Sequence, residues 1–475
     1  MRLISILLLL VVLVPPYSRV PQRIERVVNG LLPIVLIKGK PTIKMNLTDR
    51  MKHYKVPGVS IAVINNYQIE WARGFGVVET GAKQPVTTET LFQAGSISKP
   101  ITAVAAMKFV QEGKLALDEN VNSRLRSWKI PGNEFTKEHK VTVRRILSHA
   151  AGVTNSGVGE YACDEQKPTL LEALEGKPPS KNPATTVDFV PGSAFRYSGG
   201  GYSVLQQLLI DLANKNFPQL VQEDVFDRLK MNHSTFQQPP LPSKLASQVA
   251  VGHQPDGERF KCPFSYPEMA AAGLQTTPSD LARFLIDIQR SRMRMPGTLL
   301  STEIVSQMLN PQIENVGLGF FLAGQGRASR FSHGGGNQGF FSYMVAYPET
   351  GQGAVVMVNG TEYWELVHEI VRGIAAEYNW PDYLHEHTLV KLDPARFGAL
   401  VGRYEVAPDF VLTIANENGR LLLKESEAEL LPESETEFFL MDGRQFRFTK
   451  DQQDRVNGMV VRQNDLIIRA RRLPN

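Results

Sequence analysis

Alternation of apolar and polar positions predicts a strand pair early in the chain. Between Pro57 and Gly76, two short apolar segments, residues 59–64 and 69–72, are separated by Asn65-Asn66. Asparagine tolerates the positive φ angles that a two-residue hairpin turn requires. The pattern therefore predicts an antiparallel hairpin that turns at these two asparagines.

A helical period replaces this alternation over residues 97–112, where apolar positions recur three and four residues apart. The spacing predicts one buried stripe, made of Ile101, Val104, Ala105, Met107, Lys108 and Val110. Further helices are predicted at 141–149, 202–213 and 279–288, the last of them opened by the cap signal Pro278-Ser279-Asp280.

Strand signals return at 340–347 and 354–358, around a turn at 348–351. Helices that lie between early and late strands indicate an α/β sandwich with a helical subdomain, expected over residues 45–385. Within it, the proline-rich residues 166–183 are interpreted as a long surface loop.

The chain beyond about residue 393 has a different character, with short alternating segments and frequent turn signals at 417–419, 442–443 and 457–458. This pattern predicts a small antiparallel β-barrel over residues 394–475. Its predicted strands are 410–415, 421–424, 437–441, 445–448, 459–462 and 466–469. The domain boundary is expected between Trp380 and Pro394, where prolines interrupt a polar helical stretch.

Residues 1–20 combine a charged start with an apolar stretch that is too short to span a bilayer comfortably. They are interpreted as a signal peptide or an N-terminal membrane anchor, which predicts export to the periplasm or the extracellular space. Cys163 and Cys262 are the only cysteines, and in an oxidising compartment they could pair. Two unpaired buried thiols are the equally weighted alternative.

Composition and charge argue against some classes of function. The 475 residues are 42% hydrophobic and 21% charged, which is typical of globular proteins. The net charge of +4 comes without a long Lys/Arg run, so nucleic acid is not an expected partner. No histidine pair at metal-ligand spacing with a carboxylate is recognised, and neither a metal nor another cofactor is expected.

Candidate chemistry centres on Ser96-Ile97-Ser98-Lys99. A serine hydroxyl needs a nearby base and donors for the developing oxyanion. If Ser96 begins a helix, Lys99 lies one turn further on the same face, and burial with the helix dipole would lower its pKa. Taken alone, the pattern is weak and is far more often that of a helix cap followed by a solvated lysine.

Several ordered segments together resemble the penicillin-binding protein and serine β-lactamase superfamily, in the branch with class C β-lactamases, D-amino-acid peptidases and esterases. Residues 92–100 (FQAGSISKP) resemble its nucleophile segment, and 115–121 and 141–152 resemble two framework segments. Tyr197-Ser198-Gly199 stands where the family has Tyr-x-Asn, and His333-Gly334-Gly335 where it has Lys-Thr-Gly or a histidine version. Residues 400–404 (LVGRY) are similar to the lipocalin-like barrel of some related peptidases.

The resemblance implies roles for these positions. Ser96 would be the nucleophile, Lys99 the base, and Tyr197 a proton relay that a nearby ammonium could hold as phenolate. Gly335 and Gly336 would belong to the oxyanion and substrate-binding strand, with the N–H groups of Ser96 and Gly336 as oxyanion donors.

The same resemblance implies that His333 supplies a hydrogen-bond donor that faces the substrate or the tyrosine. It also places His149 in a framework turn instead of a Ser-His-Asp triad with Asp118.

Two departures bear on the substrate. Gly199 replaces an asparagine that helps to orient substrate, and Gly334 replaces a threonine that helps to hold a substrate carboxylate. The resemblance therefore implies a serine hydrolase for amide or ester bonds of a small molecule or peptide, first of all a D-amino-acid-specific carboxypeptidase or aminopeptidase. The alternatives are a carboxylesterase or β-lactamase, and a penicillin-binding sensor or scaffold without turnover; a homo-oligomer is possible.

Overall fold

The computed structural model describes residues 20–361, 364–407, 410–463 and 465–474. Apart from Val20, the predicted signal or anchor segment 1–20 lies outside these residues. Among the helices that are described, none combines the length and the apolar character that crossing a bilayer requires.

The helices lie mainly in the first three quarters of the chain. They are α1 (Val20–Val28), α2 (Leu47–His53), α3 (Ser98–Gln111), α4 (Val121–Arg124), α5 (Val143–Leu147), α6 (Leu170–Glu175), α7 (Gly199–Ala213), α8 (Phe217–Val221), α9 (Asp227–Leu229), α10 (Ser243–Ala246), α11 (Met269–Ala272), α12 (Pro278–Arg292), α13 (Thr302–Met308) and α14 (Trp364–Glu377).

The strands fall into two groups along the chain. The first group is β1 (Leu36–Ile37), β2 (Gly58–Asn65), β3 (Gln68–Gly76), β4 (Phe92–Gln93), β5 (Gln275–Thr276), β6 (Phe321–Ala323), β7 (Arg330–Asn337), β8 (Phe340–Tyr347), β9 (Gln352–Val358) and β10 (Glu386–His387). The second group is β11 (Gly402–Ala407), β12 (Phe410–Glu417), β13 (Arg420–Leu423), β14 (Ala428–Glu429), β15 (Leu431–Pro432), β16 (Glu437–Phe439), β17 (Gln445–Lys450), β18 (Val456–Gln463) and β19 (Leu466–Arg472).

A six-stranded antiparallel sheet organises the larger unit, in the order β3-β2-β9-β8-β7-β6. Its central strands β2, β8 and β9 are buried along almost their whole length because helices cover both faces. One face packs on a core that includes α3, α7 and α12, and the other on α1 and α14. The result is an α/β sandwich, as the sequence predicts.

The hairpin between β2 and β3 turns one residue later than predicted. Asn66 and Tyr67, not Asn65 and Asn66, have the positive φ angles of the turn. Asn65 remains in the ladder opposite Gln68. The shift is possible because Tyr67 is held in place by its backbone N–H and its hydroxyl, which donate to Gly351 and Pro348 carbonyl oxygens.

Helix α3 forms where it is predicted, but it does not bury a single stripe. Nearly every residue from Ser98 to Met107 is buried, since the helix runs between the sheet and the other helices. Lys108 and Val110 are only half-buried, so their assignment to the buried stripe is wrong. A helix that is apolar all round is the expected form at the centre of a domain.

Two local predictions need correction. Residues 166–183 are not a continuous loop, because helix α6 begins with a reciprocal cap between Thr169 and Glu172 and ends at Gly176 in the left-handed region. Helix α5 is shorter than the predicted 141–149, since Thr142 caps its start and His149, at φ 58°, ends the helical turn.

The C-terminal strands form a nine-stranded antiparallel sheet in the order β14-β13-β12-β11-β19-β18-β17-β16-β15. Its two edge strands, β14 and β15, are separated in sequence by Leu430 alone, so the sheet curls into a nearly closed barrel around its own core. The predicted turn at Asn457-Gly458 is wrong. Both residues lie in β18, with Gly458 opposite Thr449 and Arg471.

Asp465 of the barrel anchors this unit to the sheet. Its buried carboxylate contacts Arg330 at 2.9 Å, accepts a 2.7 Å hydrogen bond from Ser332 Oγ and lies 3.2 Å from the Tyr343 hydroxyl. Ser332 and Arg330 belong to β7, the strand that also carries His333. The barrel is therefore tied to a strand that carries predicted site residues.

Candidate active site

Ser96 lies in a tight 3-10 turn, Gly95–Ile97, between strand β4 and helix α3. Gly95 has a φ of 52°, and its position favours glycine for that reason. The Ser98 hydroxyl fixes the turn: it donates to the Gly95 carbonyl at 2.6 Å and accepts from Leu274 N–H at 3.0 Å. Ser96 itself stays partly exposed at the start of a buried helix.

Lys99 lies where the Ser-x-x-Lys spacing predicts. Its Nζ is 3.0 Å from Ser96 Oγ and 2.9 Å from the Ala271 carbonyl oxygen, which accepts from the amine. The side chain is 2% exposed, and this burial lowers the pKa of Lys99 to about 7. At neutral pH a large fraction of this amine is unprotonated, so the interpretation as a solvated lysine is wrong.

Tyr197 faces the same two residues. Its hydroxyl hydrogen-bonds to Ser96, and Lys99 Nζ lies 4.7 Å from the centre of its ring. Burial raises the pKa of Tyr197, which opposes the expectation of a phenolate stabilised by the lysine. The reason is that removal of the phenol from water disfavours its charged form, and the hydrogen bond to Ser96 offsets this effect only in part. Tyr197 is therefore a neutral hydroxyl in this site.

His149 packs against the Tyr197 ring and does not form a Ser-His-Asp triad. The two rings lie 4.3 Å apart at 31°, and His149 Nδ1 accepts a 3.1 Å hydrogen bond from Ser198 N–H. Asp118, the triad partner considered for it, pairs with Arg144 at 2.8 Å. Burial, together with nearby Lys99 and His333, keeps the pKa of His149 well below its usual value.

The turn around Ser96 and strand β7 touch through glycines. A Cβ on Gly335 would lie 2.0 Å from the Ala94 carbonyl oxygen and 2.8 Å from Ser96 N, and a Cβ on Gly95 would lie 2.7 Å from Gly336 N. No L side chain fits in this contact. The two backbone nitrogens predicted as oxyanion donors, those of Ser96 and Gly336, therefore lie on segments that are in direct contact.

His333 is buried on β7, 6.5 Å from the Tyr197 ring centre. Its Nδ1 lies 2.6 Å from the Gly334 carbonyl oxygen, and because a carbonyl only accepts, Nδ1 carries the proton. Burial and the neighbouring Lys99 lower the pKa of His333 to about 3, so the ring is neutral. Nε2 is then an acceptor, and the expectation that His333 offers a donor towards the substrate or the tyrosine is wrong.

The two departures from the family pattern differ structurally. A side chain at Gly199 would meet the Gly157 carbonyl at 2.8 Å, so residues near 157 take up the space of the family's asparagine. At Gly334 the nearest atoms to an added Cβ lie 3.7 Å away, which is an ordinary van der Waals distance, so the strand would accept a side chain there.

Sequence reasoning missed several supporting groups. Gln206 helps to fix helix α11, which carries the Ala271 carbonyl, because its side chain accepts a 2.9 Å hydrogen bond from Ala270 N–H. Asn337 donates to Gln93 and to the Ala272 carbonyl, both at 3.1 Å, and so ties β7 to the nucleophile segment. A backbone acceptor has no sequence signal, whereas Asn337, two residues after Gly335, could have been singled out as a polar residue on a buried strand.

The expectation about histidines also needs correction. Outside this site, His385, His387 and Glu433 lie together with one ligand atom of each within 4.8 Å of the others. The two histidines form a His-x-His pair, but the carboxylate comes from the barrel and is 46 residues beyond His387. A cavity of about 530 Å³ lies beside this cluster, and neither Ser96 nor Lys99 lines it.

Comparison with known proteins identifies the family of the chain. A family model described as Beta-lactamase matches residues 43–377. Penicillin-binding protein 4* of Bacillus subtilis (strain 168) is 24% identical over 395 residues, which are 78% of this chain and 85% of that protein. Protein flp of Staphylococcus aureus (strain MW2) is 23% identical over 313 residues, which are 64% of this chain. The match spans 60% of the length of flp.

Solved structures share the fold over nearly the whole chain. SurE in its crystal structure with D-Leu has a TM-score of 0.62 at 22% identity, over 90% of this chain and 97% of that one. The octameric penicillin-binding protein homologue from Pyrococcus abyssi has a TM-score of 0.60 at 22% identity, over 89% and 98%. Fold and relatives together define a class, the serine hydrolases built on this α/β sandwich. Within that class, the chain belongs to the Beta-lactamase family.

Proposed function

We propose that this protein is a serine hydrolase that cleaves amide or ester bonds through an acyl-enzyme on Ser96. The observation that carries the proposal is the buried Lys99 amine, whose Nζ lies 3.0 Å from Ser96 Oγ and whose pKa burial lowers to about 7. An unprotonated amine at hydrogen-bond distance is a competent base for a serine hydroxyl.

Acylation follows from these positions. As Ser96 Oγ bonds to the substrate carbonyl carbon, its proton passes to the neutral Lys99 Nζ, while the N–H groups of Ser96 and Gly336 hold the oxyanion. When the bond to the leaving group breaks, that group takes the Tyr197 hydroxyl proton, and the Lys99 ammonium returns a proton to Tyr197. Water then attacks the ester on Ser96, releases the acid and restores the hydroxyl.

The raised pKa of Tyr197 and the lowered pKa of His333 favour these roles. A tyrosine that remains a hydroxyl can donate to a leaving group. A neutral His333 with a free acceptor at Nε2 can receive a hydrogen bond from a substrate N–H or O–H, but it does not bind a carboxylate. We therefore assign His333 to positioning of a substrate donor group.

The substrate class that we propose is the amide bond next to a D-amino acid, in a peptidase of the carboxypeptidase or aminopeptidase type. SurE, whose crystal structure was solved with D-Leu, shares this fold over 90% of the present chain and supports the choice. Gly334 stands in place of the family's threonine and lacks its hydroxyl, which weakens the binding of a substrate carboxylate. Within the proposal, this favours an aminopeptidase or a related esterase over cleavage of a free D-Ala-D-Ala end.

A panel of substrates tests the proposal. Purified protein would be assayed with matched D- and L-amino-acid p-nitroanilides, a D-Ala-D-Ala peptide, short p-nitrophenyl esters and nitrocefin, each with Ser96→Ala as control. We expect Ser96-dependent turnover with a preference for D over L amides. Preference for esters would indicate a carboxylesterase, preference for nitrocefin a β-lactamase, and acylation without turnover a penicillin-binding sensor.

We also propose that the protein is exported. Cys163 and Cys262 form a disulfide, which persists in oxidising compartments, and this supports the interpretation of residues 1–20 as a signal peptide or anchor. Detection of the protein in the periplasmic or extracellular fraction of a bacterial expression host, with and without residues 1–20, is the test.

A further inference from the structure

His385, His387 and Glu433 form a compact group outside the candidate active site. His387 Nδ1 lies 3.0 Å from one Glu433 carboxylate oxygen, and His385 Nε2 lies 3.9 Å from the other. Two ligands bound to Zn²⁺ at tetrahedral angles are about 3.4 Å apart, given metal bonds of about 2.1 Å. The three side chains therefore approach ligand geometry, with small rotations left to make.

The His387 ring is buried and held in place, and its Nδ1 faces the Glu433 carboxylate. The residue is 3% exposed, and its ring stacks on Phe439 with centres 4.2 Å apart. Its Nδ1 lies 3.0 Å from a Glu433 oxygen, but the two groups are poorly aligned for a hydrogen bond. A buried nitrogen and a carboxylate oxygen that face each other in this way are suited to a shared cation.

Glu433 is likewise oriented for this role. One carboxylate oxygen accepts a 3.1 Å hydrogen bond from Thr388 N–H, a second-layer contact of the kind that fixes metal ligands. In the described residues, histidines alone lie within ion-pair distance of this carboxylate. Its charge is thus available to a cation.

We propose that His385, His387 and Glu433 bind a divalent transition metal ion, with Zn²⁺ as the first candidate. Two imidazoles and one carboxylate are ligands that zinc takes readily, and three protein ligands leave a fourth position for water. The exposed side of His385 gives the ion a path of entry.

The location gives this metal a structural role. His387 belongs to β10, which pairs with β1 of the larger unit, and its carbonyl accepts from Lys38 N–H at 2.9 Å. Glu433 directly follows β15, an edge strand of the barrel. A bound ion would therefore join the segment between the two units to the closing edge of the barrel.

Calorimetric titration of the full chain with ZnCl₂ tests the proposal, using protein stripped with a chelator and carrying no polyhistidine tag. We expect one Zn²⁺ per chain for the wild type, and at least a tenfold weaker affinity for His385→Ala and for Glu433→Gln. Both substitutions alter partly exposed side chains, so folding is retained, and circular dichroism of each variant verifies it.

The matched controls are His139→Ala, at an exposed histidine, and Glu435→Gln, two residues from Glu433 and paired with Arg396 on the surface. Both should bind Zn²⁺ as the wild type does. Zn²⁺ should also raise the thermal unfolding temperature of the wild type and both controls, with no rise in the two site variants. Failure of the wild type to bind, or equal binding by Glu433→Gln, would overturn the proposal and leave an ordinary histidine–glutamate contact.

Discussion

The pH dependence of acylation follows directly from the environment of Lys99. Burial lowers the pKa of this lysine to about 7, and the unprotonated amine is the form that can accept the Ser96 proton. With that pKa, about 9% of the amine is unprotonated at pH 6 and about 91% at pH 8. The second-order acylation rate should therefore rise about tenfold between these values and then level off.

Neighbouring ionisable groups should not add a second inflection between pH 6 and pH 8. Burial and the nearby lysine lower the pKa of His333 to about 3 and that of His149 well below its usual value, so both rings stay neutral from pH 6 to pH 8. Burial raises the pKa of Tyr197, so its hydroxyl keeps its proton over the same interval. A single inflection near pH 7 is thus assigned to Lys99.

The assay is the burst of p-nitrophenol released from a short p-nitrophenyl ester, followed at subsaturating ester over this pH interval. Lys99→Arg provides the comparison, because a guanidinium stays protonated throughout and should give a slow rate without the inflection. A His333→Gln variant should retain the inflection. A flat wild-type profile, or an inflection that persists in Lys99→Arg, would refute the assignment of Lys99 as the base.

Further substitutions probe other parts of the account. Tyr197→Phe should lower steady-state kcat by about 10²- to 10⁴-fold with an unchanged circular dichroism spectrum; an unchanged kcat would remove the tyrosine from the proton path. Gly335→Ala places a Cβ 2.0 Å from the Ala94 carbonyl oxygen, so acylation measured by mass should slow by about 10²-fold or more, and a wild-type rate would contradict the glycine contact. Asp465→Ala leaves buried Arg330 without its carboxylate and should cost about 3–5 kcal/mol in denaturant unfolding, whereas no loss would mean that the barrel is held elsewhere. Because burial lowers the pKa of Lys99, the unfolded chain binds more protons than the folded chain between about pH 7 and pH 10.5. The free energy of unfolding of the wild type should therefore rise with pH over this interval, by up to about 5 kcal/mol. Chemical unfolding of Lys99→Met at pH 7 and pH 9 should lack this rise.

The sequence predicts the elements that depend on local periodicity. Strand β2, helix α3 and strand β8 lie within a residue or two of the predicted segments, since continuous apolar runs of those lengths have few other arrangements. Predictions that relied on a turn signal alone were less accurate. Asn457-Gly458 is a good hairpin turn in isolation, but pairing on both sides with β17 and β19 keeps it within a strand.

In the site, too, local sequence predicts some features, and others depend on residues far away in the chain. The positions of Ser96 and Lys99 follow from one short helical segment, and their approach needs only the spacing of a helix. The protonation states of Tyr197 and His333 depend on burial by elements far away in sequence, which no local pattern records. The same holds for Glu433, which reaches His387 only because the barrel closes against the segment that precedes it.

Intact-mass analysis tests the central claim most directly. Wild-type protein and Ser96→Ala would each be incubated with a fluorophosphonate and, separately, with a penicillin, and their masses followed with time. We predict one covalent adduct per wild-type chain, located on Ser96 by peptide mapping, and none on Ser96→Ala; decay of a penicilloyl adduct would add evidence of turnover. Absence of label on the wild type with both reagents, or equal labelling of Ser96→Ala, would contradict the assignment of Ser96 as the nucleophile.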